Sequence, residues 1–184
     1  MSFLNEAYQR IHEYYVEKKL RKEAIKRQPN DFAKSQSIGI LFDASMPESL
    51  DIIRKYVQRL EKKGKKVNLL AFFDDKDRHE HFPYKHFTRK EIDWRLCPKG
   101  SAVEHFINQP FDVLINLCYQ PSPPLEYITA LAKAHMRVGP YTERTYCYDL
   151  MIELANQRDL HHFIQQIDFF LNRMNSSQHE QKAT

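Results

Sequence analysis

Glycine is scarce, at four residues in 184. Loops that cradle phosphates use clustered glycines so that the backbone can approach closely, so neither a dinucleotide fingerprint nor a P-loop is present. Cysteine is scarce as well. Cys97, Cys118 and Cys147 are odd in number, far apart and form no C-x-x-C pair, which points to reduced thiols rather than a disulfide framework or a cysteine zinc site. No run of about eighteen apolar residues occurs, and the opening Met1-Ser2-Phe3-Leu4-Asn5-Glu6 has neither the basic head nor the apolar middle of a secretory signal. The expectation is a cytoplasmic protein with no membrane span. No G-x-S-x-G elbow occurs and no Ser-His-Asp or Cys-His set is assignable from local context, so no catalytic residue is named and no cofactor is implied.

What the chain does have is enough apolar residues, 42%, to bury a core without disulfides or metal. Its net charge of +4 is unevenly spread: residues 1–99 hold 22 of the 28 Lys and Arg against 15 of the 24 Asp and Glu. The first half is therefore basic and the remainder acidic, a distribution suited to a polyanionic partner on one face.

Three-to-four spacing of Leu4, Ala7 or Tyr8, Ile11 and Tyr14 or Tyr15 predicts a helix from Phe3 to about Arg27, its second half strongly basic. Pro29-Asn30-Asp31 ends it. Ile38 to Asp43 reads as a strand buried on both faces. Ser45 and Glu48 form a capping-box pattern for a helix whose stripe is Leu50, Ile53, Val57 and Leu60, and Gly64 stops it. Val67 to Phe73 is a second strand, giving a β-α-β unit with a right-handed crossover. Asp74 to Lys90 reads as a polar excursion, with a short edge strand near Ile92-Asp93-Trp94. A second capping-box pattern, Ser101 and Glu104, opens a short helix, and Phe111 to Leu117 is a strand. Ser122-Pro123 starts a helix carrying Leu125, Ile128, Leu131 or Ala132, and His135. Short strands at Val138-Gly139 and Leu150 to Ile152 and a closing helix from Leu160 to Met174 follow. The expected organisation is a basic helical extension over 1–34, an α/β domain over 35–174 and a disordered polar tail over 175–184. The fold class is α/β, a three-layer sandwich with a mostly parallel sheet of about five strands, Rossmann-like or flavodoxin-like, behind a long basic N-terminal helix.

In such sheets ligands sit at the carboxyl ends of the strands, which nominates Asp43, Ser45, Asp74, Asp75, Asn116 and Tyr119. Asp43 with Asp74 or Asp75 is a conceivable Mg²⁺ pair, although Asp and Ser after a strand more commonly serve as turn and cap residues. Lys99 and Ser101 flank Gly100 at a helix start, an arrangement able to hold an anion but lacking P-loop spacing. His79, His81 and His86 are the densest potential metal ligands, with a solvated loop the more ordinary account. The polyanion-contact set is Lys18, Lys19, Arg21, Lys22, Lys26, Arg27, Lys62, Lys63, Lys65 and Lys66. Tyr8, Tyr14 and Tyr15, at helical spacing, are expected to pack rather than stack on bases.

Phe111 to Leu117, Leu131-Ala132-Lys133-Ala134 leading into Arg137-Val138-Gly139, Tyr148 to Ile152 and the Phe163-to-Phe170 helix together resemble an uncharacterised protein family common in Bacteroidota. The similarity spans nearly the whole chain, including the basic N-terminal helix and the Pro98-Lys99 step. The resemblance implies the same α/β domain and a bacterial cytoplasmic setting, and it transfers no catalytic residue. The function read from the residues is a non-enzymatic binding or adaptor protein whose basic half contacts RNA, a ribonucleoprotein or a protein surface. The alternatives are a small-molecule or nucleotide site at the strand ends and self-association through the first helix.

Overall fold

A computed structural model describes residues 3–21, 32–45, 47–77, 81–154 and 159–180, the side chains of 3–9, 47–48 and 175–180 apart. In chain order the elements are α1 (Phe3–Leu20), β1 (Ser37–Asp43), α2 (Pro47–Lys62), β2 (Lys66–Phe73), β3 (His86–Thr88), α3 (Ser101–Asn108), β4 (Phe111–Asn116), α4 (Pro123–Leu131), β5 (Ala134–Pro140), β6 (Leu150–Ile152) and α5 (Leu160–Glu180).

The six strands form one sheet in the order β3-β2-β1-β4-β5-β6, and every pairing is parallel. The chain leaves β1 towards β2 and leaves β4 in the opposite direction towards β5, so the strand order reverses between β1 and β4. That is the position where doubly wound sheets open a crevice at their carboxyl edge. Helices cover both faces, as an all-parallel sheet requires. On one face Ile53 and Leu60 of α2 and Phe163 and Ile167 of α5 pack on Ile40 and Ile115. On the other, Val16 of α1, Phe106 of α3 and Leu125 and Ile128 of α4 pack with Leu41 and Leu114. Each such side chain, fully removed from water, contributes about 1.5–3 kcal/mol against the chain entropy lost on folding.

Several elements differ from the sequence expectation. The sheet has six strands rather than about five, because His86–Thr88 adds at the edge along Ala71 to Phe73. Three residues are too few to show a period of two. Ile92 to Trp94 is no strand; Ile92 makes a single antiparallel bridge to Pro98. The first helix is described over Phe3–Leu20; the remainder of the helix expected to about Arg27 falls largely on residues 22–31, which lie outside the described residues. α4 ends at Leu131, since the Ala132 N–H closes on the Ile128 carbonyl and Ala134 joins β4. His135 therefore lies on a strand, exposed and 3.7 Å from Asp112. α5 continues through Glu180, past Asn175 where a tail is expected, on a stretch with no Gly or Pro to stop it.

Of the two capping boxes read from the sequence, that of Ser101 and Glu104 is absent, and the Glu48 side chain of the other lies outside the described residues. α2 begins at Pro47, and the Ser45 hydroxyl instead accepts the Asp74 N–H at 2.9 Å. α3 is capped by Gly100, whose φ of 104° is one that a side chain rarely adopts, and Ser101 is its first residue. A capping box does form elsewhere, between Thr88, the cap residue, and Glu91 of the 3-10 turn Arg89–Glu91.

Candidate functional site

The carboxyl edge gathers Asp43, Asp74 and Asn116 on one rim, as the alternating pattern requires. Their local bonding is self-contained. Asp43 accepts the Ser45 N–H at 2.8 Å in a tight turn, and the Ala44 N–H reaches the Phe72 carbonyl. With the Ser45 hydroxyl on the Asp74 N–H, the exits of β1 and β2 are sewn together. The Asp74 carboxylate is held by the fork of Arg89, whose Nη2 donates at 2.8 Å. Asp75 accepts the Asp77 N–H across its own turn.

At the exit of β4 the buried Asn116 donates from Nδ2 to the Tyr148 hydroxyl at 2.8 Å and accepts the Cys118 N–H at 3.0 Å. Tyr148 packs against Gly139: a Cβ there would stand 2.1 Å from its ring. Burial pushes the Cys118 thiol up to about 12 and the Cys97 thiol up to about 11. Both remain protonated at neutral pH and are poor nucleophiles. Between the β1 and β4 exits Asp43, Ser49, Cys118, Tyr119 and Gln120 enclose a cavity of about 40 Å³ over Phe42 and Ile53. That holds a few waters, against roughly 300 Å³ or more for a small-molecule site.

A second arrangement lies on the α1 side. Among its described side chains, α1 is docked on the domain by Val16 and by polar contacts. Arg144 donates from Nε to Glu13 at 2.8 Å and from Nη1 to Glu126 of α4. The buried His12 ring lies 2.8 Å from the Arg95 carbonyl through Nδ1. Burial, aided by the charge of Arg144, holds this imidazole below its usual value, so it is neutral at pH 7 and donates to that carbonyl. Lys19 donates to the Tyr127 hydroxyl and sits 5.2 Å over its ring.

Across from α1, the segment 92–99 is ordered around Asp93. Its carboxylate receives Arg95 Nη2 at 2.6 Å, Lys99 at 3.1 Å and the backbone N–H groups of Arg95 and Cys97. Burial raises this carboxyl, but these donors outweigh it and bring it down to about 2. The Arg95 guanidinium then lies 4.5 Å over the Tyr15 ring. Tyr15, Lys19, Arg95, Lys99 and Tyr127 thus line one groove of about 230 Å³ between α1, α3 and α4. Residues eighty positions apart are brought together here, and the backbone does not foreshadow it.

The family of unknown function DUF6913 matches residues 9–174. The chain belongs to that family. A search of curated proteins found no match. The match to the DUF6913 family covers every strand and the described part of the groove, so fold and groove belong to one family domain.

The predicted residues divide accordingly. Lys18, Lys19 and Arg21 are exposed on the last turns of α1, Arg21 being paired with Glu17 at 3.7 Å; Lys22, Lys26 and Arg27 lie outside the described residues. Lys62, Lys63 and Lys66 are exposed where α2 hands over to β2, and α2 covers the opposite face of the sheet from α1, so the two basic segments do not merge. Lys65 leaves the contact set: it is buried and donates to the Phe32 and Ser35 carbonyls at 2.7 and 2.8 Å. Lys99 joins the groove, whereas Ser101 is an exposed first helical residue. Tyr119 is half-buried against Phe163. Of the histidines, His79 lies outside the described residues, His81 is exposed, and His86 packs edge-on against Phe73 and Phe82. Among the described residues no three His, Cys, Asp or Glu come together to hold a metal. Among the same residues no helix is long and apolar enough to cross a membrane.

Sequence reasoning missed Asp93, Trp94, Arg95, Tyr127 and Arg144. The available signal was Asp93-Trp94-Arg95 itself, the chain's sole tryptophan flanked by opposite charges. The expectation that Tyr14 packs is also overturned: it is 61% exposed. The side chain of Tyr8 lies outside the described residues.

Proposed function

We propose that this protein is a non-enzymatic nucleic-acid-binding protein of the bacterial cytoplasm, of the kind found in Bacteroidota, with RNA or a ribonucleoprotein particle as its partner. Contact is made by Lys18, Lys19 and Arg21 at the end of α1 together with Arg95 and Lys99, and the basic run continues through Lys22, Lys26 and Arg27. The observation that carries this reading is the groove where the end of α1 meets residues 95–99, with Tyr127 and Asp93 holding Lys19, Arg95 and Lys99 in place. Cations fixed before binding lose less side-chain entropy when they meet phosphates, and several phosphates contacted together release counterions. The high thiol pKa of Cys118 and the internal hydrogen bonds of Asn116 and Ser45 argue against chemistry at the exits of β1 and β4.

The test is charge reversal. Lys18→Glu, Lys19→Glu and Lys99→Glu together are expected to abolish salt-sensitive retention on immobilised RNA and to flatten the dependence of affinity on salt. Equal retention of wild type and variant would remove the reading.

A second reading has one observation in its favour, the reversal of strand order between β1 and β4 beside the cavity at Asp43 and Tyr119. It supposes a very small ligand there. A thermal-shift panel of nucleotides, sugars and small acids checks it, and no stabilisation by any compound eliminates it.

A further inference from the structure

Two large rings on the α1 side stand in water. Trp94 is 63% exposed and Tyr14 is 61% exposed. Neither is isolated. Tyr14 meets Tyr15 edge-on with centroids 5.7 Å apart, and Lys18 sits 5.9 Å from the Tyr14 centroid. The Arg95 guanidinium lies 4.5 Å over Tyr15 and 5.8 Å from the Trp94 ring. Asp93 grips that guanidinium through two nitrogens, at 2.6 and 3.1 Å. The result is a ribbon of rings and cations in the order Lys18, Tyr14, Tyr15, Arg95, Trp94, with the Tyr14 and Trp94 rings exposed and Arg95 held by a partly buried carboxylate.

Burying a large apolar side chain is worth about 1.5–3 kcal/mol, so rings left in water forgo that gain unless something covers them in use. The cations beside them favour an anionic cover. A duplex presents phosphates but keeps its base faces stacked on one another. A single strand presents both phosphates and open base faces, and rings with interleaved cations are what bind it without regard to sequence.

Resting on the nucleic-acid reading above, we propose that Trp94 and Tyr14 are base-stacking platforms, which makes the ligand single-stranded. The cations set general affinity for polyanions, and the two rings select the unpaired strand.

The experiment uses the full chain and exploits Trp94 as its sole tryptophan. Trp94 fluorescence and the anisotropy of a labelled oligonucleotide are followed during titration with a twelve-nucleotide oligouridine, a twelve-base-pair RNA duplex, heparin, and vesicles of phosphatidylserine and phosphatidylcholine. Oligouridine is expected to quench Trp94 and to bind more tightly than the duplex. Trp94→Ala and Tyr14→Ala should each weaken oligouridine binding by about tenfold, within the range for loss of one stacked base. Heparin and duplex binding should change less than about twofold, within the uncertainty of losing an exposed contact. Trp94→Phe, which keeps a smaller ring, should recover part of the loss. Circular dichroism and melting of the variants check that the fold is intact.

Binding of oligouridine and duplex with equal affinity, both insensitive to Trp94→Ala, would overturn the stacking role and leave the nucleic-acid reading standing. Failure of oligouridine and duplex alike to bind would overturn both. A Trp94 blue shift on vesicles without quenching by oligouridine would assign the rings to a lipid surface and overturn this inference.

Discussion

The carboxyl rim between β1 and β4 and the surface between α1 and residues 92–99 use similar side chains to opposite ends. At the rim, Asn116, Tyr148, Asp74 and Ser45 each bond to a partner inside the protein, and the cavity between the β1 and β4 exits is about 40 Å³. On the α1 side, Asp93 organises Arg95 and Lys99 while Trp94 and Tyr14 face water. A polar group satisfied internally stabilises the fold and offers little to a ligand, whereas a charge held in place with its outer face open is ready to bind. The strand order invites attention to the rim, but fold alone does not assign function, and the bonding favours the other surface.

The contrast is broken or sharpened by measurement. The largest expected effect is Gly139→Ala: its Cβ would stand 2.1 Å from the Tyr148 ring, a clash that backbone or ring must relieve. Overpacking of this kind costs about 3 kcal/mol, read from the urea midpoint. A loss below about 1 kcal/mol would show that Tyr148 is free to move and that the rim is looser than its bonds indicate. Asn116→Ala follows, since it strips the buried Tyr148 hydroxyl and the Cys118 N–H of their partner. The expected cost is about 2 kcal/mol, with oligouridine affinity unchanged. An unchanged stability but a lost affinity would move the site to the rim.

The pH dependence of the α1 side is comparable in size. Asp93 titrates at about 2 in the folded chain against 3.8 for an ordinary aspartate. Its contribution is therefore fully present above pH 3.8 and is lost as pH falls towards 2, amounting to about 2 kcal/mol. Denaturation between pH 5 and 2 should show that loss, and Asp93→Asn should flatten the profile there. His12 acts in the same direction at higher pH. Its ring resists protonation in the folded state, so stability is present above 6.5 and declines as pH falls through that value, a decline that His12→Gln should remove. The smallest stability effect belongs to Trp94→Ala, within about 0.5 kcal/mol of wild type, although it is expected to weaken single-strand binding about tenfold. A large stability loss there would mean that the ring is structural.

Legibility followed length and periodicity. Ile38 to Asp43, Val67 to Phe73 and Phe111 to Leu117 announced themselves as buried strands, and Pro123 marked the start of α4, because each signal is local and several residues long. β3 was hidden by its three-residue length. Ser45 and Ser101 fit a capping pattern whose geometry depends on where the helix starts, and Lys65 sits in a basic run but folds inward onto Phe32 and Ser35. For the site, Lys18, Lys19 and Arg21 were readable as charge. Arg95 and Trp94 were not, since their meaning depends on Tyr15, eighty residues earlier.

Apolar spacing along the chain alone determined that strands and helices alternate and that the strands run in parallel, since covering a sheet on both faces demands that pattern. Tertiary structure alone decided the order of those strands, the internal bonding at the β1 and β4 exits and the exposure of the aromatic ribbon. Hydrophobic burial is set residue by residue, whereas a hydrogen bond or a stacked cation needs two distant segments to arrive at one place with the right orientation.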